Sequence, residues 1–145
     1  MAFSRRKLGS TGLTVSPVGI GGGYGITSPE ILRAFDRGVN YFFYGTWIPT
    51  YRHMESGLKE ILHHHRDEVV LATGAYFWLH PSRLEAAVTK HLKRLGTDFI
   101  DVFHIAHVGS RLPRAPSLCS RRFTPPKGAQ LVPDGRKWRG SAQGA

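Results

Sequence analysis

Three stretches of the 145-residue chain hold residue types that could do chemistry. The first is "GIGGGYG", residues 19–25, which resembles a phosphate-cradling glycine loop. A dinucleotide fingerprint needs G-x-G-x-x-G and, about 20 positions on, an acidic residue for the ribose. The spacing here is G-x-G-x-x-x-G, and no Asp or Glu stands between Val39 and Met54. A glycine-rich turn from strand to loop fits better. The second stretch is "HHH", residues 63–65, a candidate metal tract. Successive helical side chains point about 100° apart and cannot all face one ion. A solvated helix end is the better reading, since imidazoles there complement the helix dipole. No metal site is expected, and His53 and His80 read as surface loop residues. The third stretch is "DFIDVFHIAHV", residues 98–108, with His104 and His107. Strand alternation sets Asp101, Phe103, Ile105 and His107 on one face and Val102, His104, Ala106 and Val108 on the other. His107 falls near the C-terminal end of its strand, where parallel α/β folds place their chemistry. For His107 a functional role and a packing role both stay open; His104 reads as a satisfied core histidine.

The elements that would position these residues are orderly up to Gly109. "RRKLGSTGLTV" is apolar, turn, apolar, with Gly9 and Gly12 flanking the bend, and predicts a hairpin. "SPVGIGG" reads as a short buried strand. "TSPEILRAFDRG" predicts a helix capped by Ser28, with Pro29 in its first turn and Gly38 closing it. Its apolar face is Ile31, Leu32, Ala34 and Phe35. "VNYFFYG" is a second strand, followed by a helix carrying Met54, Leu58, Ile61 and Leu62. "EVVLATG" is a continuously apolar third strand, as expected of one covered on both faces. "HPSRLEAAVTKHLKRLG" predicts a third helix with Pro81 at its start and Gly96 after its end, and "DFIDVFHIAHV" a fourth strand. A hairpin followed by (βα)₃β implies a parallel α/β fold with right-handed crossovers. The last strand would then be an open edge, and the inner face of the sheet, carrying residues such as Val70, Ala72 and Phe103 or their alternates, would lack partners.

Composition divides the chain in two. The formal charge is +10, but residues 1–109 carry 12 Lys/Arg against 9 Asp/Glu, whereas residues 110–145 carry 8 Lys/Arg against Asp134 alone. Five of the nine prolines and none of the eight histidines lie in that second part. Arg, Pro, Ala and Gly make up 19 of its 36 residues, without helical or strand periodicity. It reads as a disordered basic tail, residues 110–145, following a folded domain of residues 1–109. The same bias is what G- and C-rich codons encode, so an out-of-frame or truncated stretch is also expected to look like this. Phe123 and Trp138 stand too far apart to interleave with the charges, so nucleic acid is expected to bind only weakly through the tail. No apolar run approaches the roughly 20 residues of a membrane span. The basic start "MAFSRRKLGS" is not followed by the apolar segment of a secretory signal. Cys119 is the only cysteine, which excludes an internal disulfide and suggests a cytoplasmic protein.

Taken jointly and in order, "RKLGSTGLTVSPVGIGG", "AFDRGVNYFF", "RDEVVLATG" and "HLKRLGTDFIDVFHIAHV" resemble the aldo/keto reductases over residues 4–108. The resemblance implies a partial (β/α)₈ TIM barrel, NADPH as cofactor and a small carbonyl compound as substrate. In such a reduction hydride reaches the carbonyl carbon while a general acid protonates the forming alkoxide. The family uses a tyrosine for that proton, a lysine to lower the tyrosine's pKa, an aspartate to hold the lysine and a histidine to orient the substrate.

Carried onto this chain, the family's histidine corresponds to His107 and its tyrosine to Tyr51, with Tyr44 as a second candidate. Its aspartate position holds Phe43, after "GVNYF", and its lysine position holds Gly74, after Thr73. Losing the two together is coherent, because removing lysine alone would strand a buried carboxylate at about 3–5 kcal/mol. Phe43, Tyr44 and Trp47 are then expected to line an aromatic substrate pocket or to be core. The family's cofactor rests largely on the second half of the barrel, and the pattern shows no strands five to eight. The expectation is a truncated, catalytically impaired oxidoreductase. The alternative is a non-catalytic half-barrel assembly module, including a homodimer joined through the open sheet.

Overall fold

The computed structural model describes residues 4–46, 48–76, 81–106 and 119–123. Strands β1 (Arg6–Lys7) and β2 (Thr14–Val15) form the expected antiparallel hairpin. Its bend is closed by the Thr11 hydroxyl, which donates to the Leu8 carbonyl at 2.6 Å and accepts from the Leu13 N–H at 3.1 Å. Gly9 and Gly12 supply the left-handed backbone at φ +52° and +76°.

A five-stranded sheet follows, in the order β3 (Gly19–Gly21), β4 (Tyr41–Phe43), β5 (Val70–Tyr76), β6 (Ile100–Ala106) and β7 (Cys119–Phe123). The first four are parallel, as the alternation of strand and helix requires. Helices α1 (Ser28–Asp36), α2 (Glu55–His65) and α3 (Pro81–Leu95) connect them. Alternation along the strands separates two apolar clusters. Phe42, Leu71 and Phe103 face the helices and pack with Ile31, Leu58, Ile61, Val88 and Leu92. Val70, Ala72 and Val102 face the opposite, inner side, where Leu8, Leu13 and Val15 of the hairpin cover them.

Asn40 joins hairpin to sheet. It is 1% exposed, and its side-chain oxygen accepts from the Ser16 N–H at 2.7 Å. Its amide nitrogen donates to the carbonyls of Thr14 and Glu68, while its own backbone N–H donates to Ser16 Oγ. On the far side Arg66 donates to Thr97 Oγ1, to the carbonyls of Val69 and Phe99 and to Asp101 Oδ2, and stacks on the Phe99 ring at 3.6 Å. Asp101 also accepts from the Leu71 N–H, so one ion pair ties the end of α2 to the starts of β5 and β6.

Several expectations need correction. The cap of α1 is Thr27, whose N–H is accepted by Glu30 at 2.7 Å. Ser28 instead accepts the Gly57 N–H and donates to the His53 carbonyl, fastening α2 to α1. Of the two faces left open for the fourth strand, Val102 lies on the inner one and Phe103 faces the helices. The fourth parallel strand is not an open edge: Cys119–Phe123, inside the segment expected to be disordered, pairs antiparallel with β6. That pairing occupies the edge through which two copies were expected to join. The remainder of 110–145 lies outside the described residues. No helix among the described residues is long and apolar enough to cross a membrane.

Replacing Asn40 by Ala removes a buried hub and orphans the Ser16 N–H. The expected loss is about 3 kcal/mol of unfolding free energy, read as a lower denaturation midpoint at unchanged slope. A loss below about 0.5 kcal/mol would show that the hairpin is held by its apolar contacts alone.

Candidate functional site

The inner wall of the sheet is where the resemblance places chemistry, and register decides what stands there. Gly21, Phe43, Ala72 and Val102 form one row, and Gly74 and His104 lie side by side one step higher. Ala72 and Gly74 keep the middle strand low. Side chains from β4 and β6 can therefore meet across it: the Tyr41 hydroxyl lies 2.9 Å from His104 Nε2, and the Phe43 ring lies 5.6 Å from the His104 ring. Phe43 also meets Tyr51 edge-on at 6.2 Å. The position that would hold the lysine's counter-ion is thus the centre of an aromatic contact between Tyr51 and His104.

Gly74 is close to obligatory. A Cβ built there would lie 2.6 Å from the His104 carbonyl oxygen and 3.2 Å from its Cβ, so any side chain forces β5 and β6 apart. The lysine is therefore excluded by the approach of two backbones as well as absent from the sequence.

Tyr51 sits on a 3₁₀ helix, Pro49–Met54, and is 6% exposed. Its ring packs between Phe43 and Tyr44, which it meets at 6.1 Å. Tyr44 does not line the inner wall. It is 1% exposed on the helix side, and its hydroxyl donates to Glu55 Oε2 at 3.0 Å. Burial, and then the Glu55 carboxylate that accepts its proton, push the Tyr44 phenol up to about 12. Glu55 is also held by Arg94 at 2.6 Å and Lys59 at 2.9 Å. Burial pushes the Glu55 carboxyl up, but these donors and Tyr44 outweigh it and leave its pKa lowered.

His107 and Trp47 lie outside the described residues. Of the expected site residues, the structure brings Phe43, Tyr51 and Tyr44 into ring contact, with Tyr44 buried on the helix side. His104, expected in the core, is exposed on the inner face, and desolvation by the wall beside it lowers its pKa. Alternation had set it with Val102; the small residues of β5 that let Tyr41 reach it were the missed signal. Sequence reasoning also passed over His91, which is 1% exposed between α3 and the strands. The triple histidine is a solvated helix end as expected, with His65 beside Glu68 at 2.9 Å. No group of three metal-ligating side chains exists among the described residues.

The glycine turn does not fit a cofactor phosphate. A Cβ at Gly22 would meet Met54 Sδ at 2.5 Å and Tyr51 Cδ1 at 2.8 Å, so this glycine makes room for the chain's own side chains.

A hairpin leading into parallel strands alternating with helices is the architecture of an α/β barrel wall, and comparison with solved structures agrees. The chain is similar to a Pseudomonas aeruginosa protein assigned to the aldo-keto reductases, at 28% identity and TM-score 0.59, over 74% of this chain and 48% of that one. It is also similar in fold to the thermostable aldo-keto reductase Tm1743, solved with the inhibitor epalrestat. That match has 21% identity and TM-score 0.63, over 77% of this chain and 45% of the other. A third, an aldo-keto reductase from Klebsiella pneumoniae solved with NADPH, shares 21% identity at TM-score 0.54, over 70% and 38%. The chain resembles the aldo/keto reductases in fold and spans less than half the length of these structures. No protein-family model matches it, and no match is found among curated proteins.

Two outcomes follow from this geometry. Gly74→Ala is expected to lower stability by about 1–3 kcal/mol through overpacking, measured by chemical denaturation; an unchanged or raised midpoint would contradict the close approach. For Tyr44, the folded pKa lies above the free value of 10. Its contribution is therefore complete below pH 10 and is lost as pH rises through about 12. The stability of the parent chain should fall across that window, and Tyr44→Phe should flatten the dependence. An equally steep profile in the variant would contradict the assignment.

Proposed function

We propose that this chain is an aldo-keto reductase-like oxidoreductase wall whose reduction of small carbonyl compounds with NADPH is impaired. The observation that supports the reading is the pair Phe43 and Gly74, set on the inner face of a sheet with this family's element order. Bound NADPH would supply hydride. The chain's own part in such chemistry would be to hold the carbonyl and to deliver a proton to its oxygen.

A tyrosine does this well near neutral pH only when a cation lowers its pKa from about 10. Here Gly74 has no side chain to carry the cation, and Phe43 has no carboxylate to hold one. Tyr51 remains at the rim of the wall with Phe43 as its neighbour. The wall is lined by aromatic rings and small residues, and the charged part of the relay is missing. The half-barrel assembly reading has no specific support, because β7 occupies the edge on which it relied.

The test is steady-state reduction of aldehydes such as 4-nitrobenzaldehyde by the purified full chain with NADPH. Turnover is expected to stay below the roughly 1–10³ s⁻¹ common to enzymes. Turnover of several per second that is abolished by His107→Ala would overturn the reading.

A further inference from the structure

Tyr41 and His104 meet where burial does not require it. The Tyr41 hydroxyl lies 2.9 Å from His104 Nε2, the contact is exposed, and His104 itself is exposed on β6. Buried polar groups must find a partner within the protein, whereas exposed ones are served by water. This pair forms even though Tyr41 stands on β4 and must reach across β5, where Ala72 and Gly74 leave the way clear.

The sense of the hydrogen bond follows from acidity. A phenol is the stronger acid and a neutral imidazole nitrogen the stronger base, so the hydroxyl donates and Nε2 accepts. The ring's own hydrogen then lies on Nδ1. A hydroxyl at hydrogen-bond distance from such a nitrogen is the arrangement in which a weak nucleophile is activated by an adjacent base. The base must be neutral to act, and the surroundings keep it so. Beside the ring, β4 supplies Tyr41 and Phe43 and β5 supplies Gly74. Among the described residues no carboxylate or cation acts on His104, and desolvation alone lowers its pKa from the ordinary 6.5. The other tyrosines differ. Tyr44 is 1% exposed and donates to Glu55, and Tyr51 is 6% exposed. Tyr24 is fully exposed, with no hydrogen-bonded imidazole among the described residues.

We propose that Tyr41 and His104 form a nucleophile–base pair that takes the acyl group from activated aryl esters. Tyr41 Oη attacks the ester carbonyl carbon, and its hydrogen passes to His104 Nε2. The bond from that carbon to the aryl oxygen breaks, Nε2 hands the proton to the departing oxygen, and Tyr41 is left acylated. Water then attacks the same carbon, Nε2 takes its proton and returns it to the Tyr41 oxygen, and a carboxylic acid is released. Phe43, Ala72, Gly74 and Val102 carry no charge to stabilise a strongly basic leaving group, which limits the substrates to esters of acidic phenols. The Phe43 ring, 5.6 Å from that of His104, gives an aryl group an apolar surface beside the pair. Neither NADPH nor a charge at positions 43 and 74 enters these steps, so the activity is independent of carbonyl reduction.

The experiment treats the purified full chain with 4-nitrophenyl acetate, without NADPH, follows release of 4-nitrophenol and locates acetyl groups by peptide mass spectrometry. A burst approaching one equivalent is expected, with Tyr41 acetylated at least about a hundredfold faster than Tyr24 at pH 7.5. The Tyr41 rate should level off above a midpoint below 6.5, where His104 becomes neutral, while the Tyr24 rate keeps rising with pH. Tyr41→Phe should abolish the burst. His104→Ala should abolish it too, and added imidazole should restore acetylation of Tyr41, a rescue that a misfolded variant would not show. The site of acetylation and the pH profile of the parent chain decide the matter even if that variant does not fold. Equal acetylation of Tyr24 and Tyr41, acetyl groups confined to lysines or to His104, or an unchanged Tyr41 rate in His104→Ala would each overturn the proposal.

Discussion

A charge placed against the wall of a parallel sheet must be paired, because one partner left alone costs several kcal/mol. In this chain Gly74 and Phe43 stand at the two wall positions to which the resemblance to the aldo/keto reductases assigns a lysine and an aspartate. The rest of the inner wall follows from those two residues. With no lysine rising from β5, its backbone closes on the His104 carbonyl, and Tyr41 reaches over the low strand to His104. With no carboxylate on β4, a phenyl ring fills the same place and brings Tyr51 and His104 to either side of it. The centre of this wall is aromatic, with the Phe43 ring between Tyr51 and His104.

Away from that aromatic centre the opposite economy holds, since polar groups persist wherever they are matched. Asn40, Arg66 with Asp101, Glu55 with its three donors, and His91 between two threonines each sit at a junction between elements. No buried side-chain nitrogen or oxygen among the described residues lacks a hydrogen-bond partner. Full satisfaction is what lets such groups specify one arrangement instead of weakening it. Tyr44, at the end of β4, belongs to the helix side, although the sequence sets it one residue from the inner wall.

Much of the fold was legible because periodicity is a local property. The apolar stripe of α1, the closing glycines at 38 and 96 and the two faces of β4 and β5 all follow from spacing. The family likeness was legible from motif order alone. What escaped was long-range. The union of Tyr41 with His104 spans 63 positions and depends on small residues in a strand between them. Asn40 reads as part of an ordinary strand until the hairpin folds back onto it. β7 escaped for a different reason: "CSRRF" lies in a charged, proline-rich stretch, and a short strand added at an edge is set by its partner's free hydrogen-bonding groups more than by its own pattern. Phe43 and Gly74 were legible as substitutions, but the contact that fixes Gly74 is visible only in three dimensions.

The geometry of the wall can be read directly by nuclear Overhauser contacts in protein carrying labelled Phe, Tyr and His rings. The account requires cross-peaks from Phe43 to both Tyr51 and His104, together with a contact between Tyr41 and His104, all in the full chain at neutral pH. A Phe43 ring that shows neither contact and is exposed to solvent would contradict it, because positions 43 and 74 would then frame an open site instead of a closed aromatic wall.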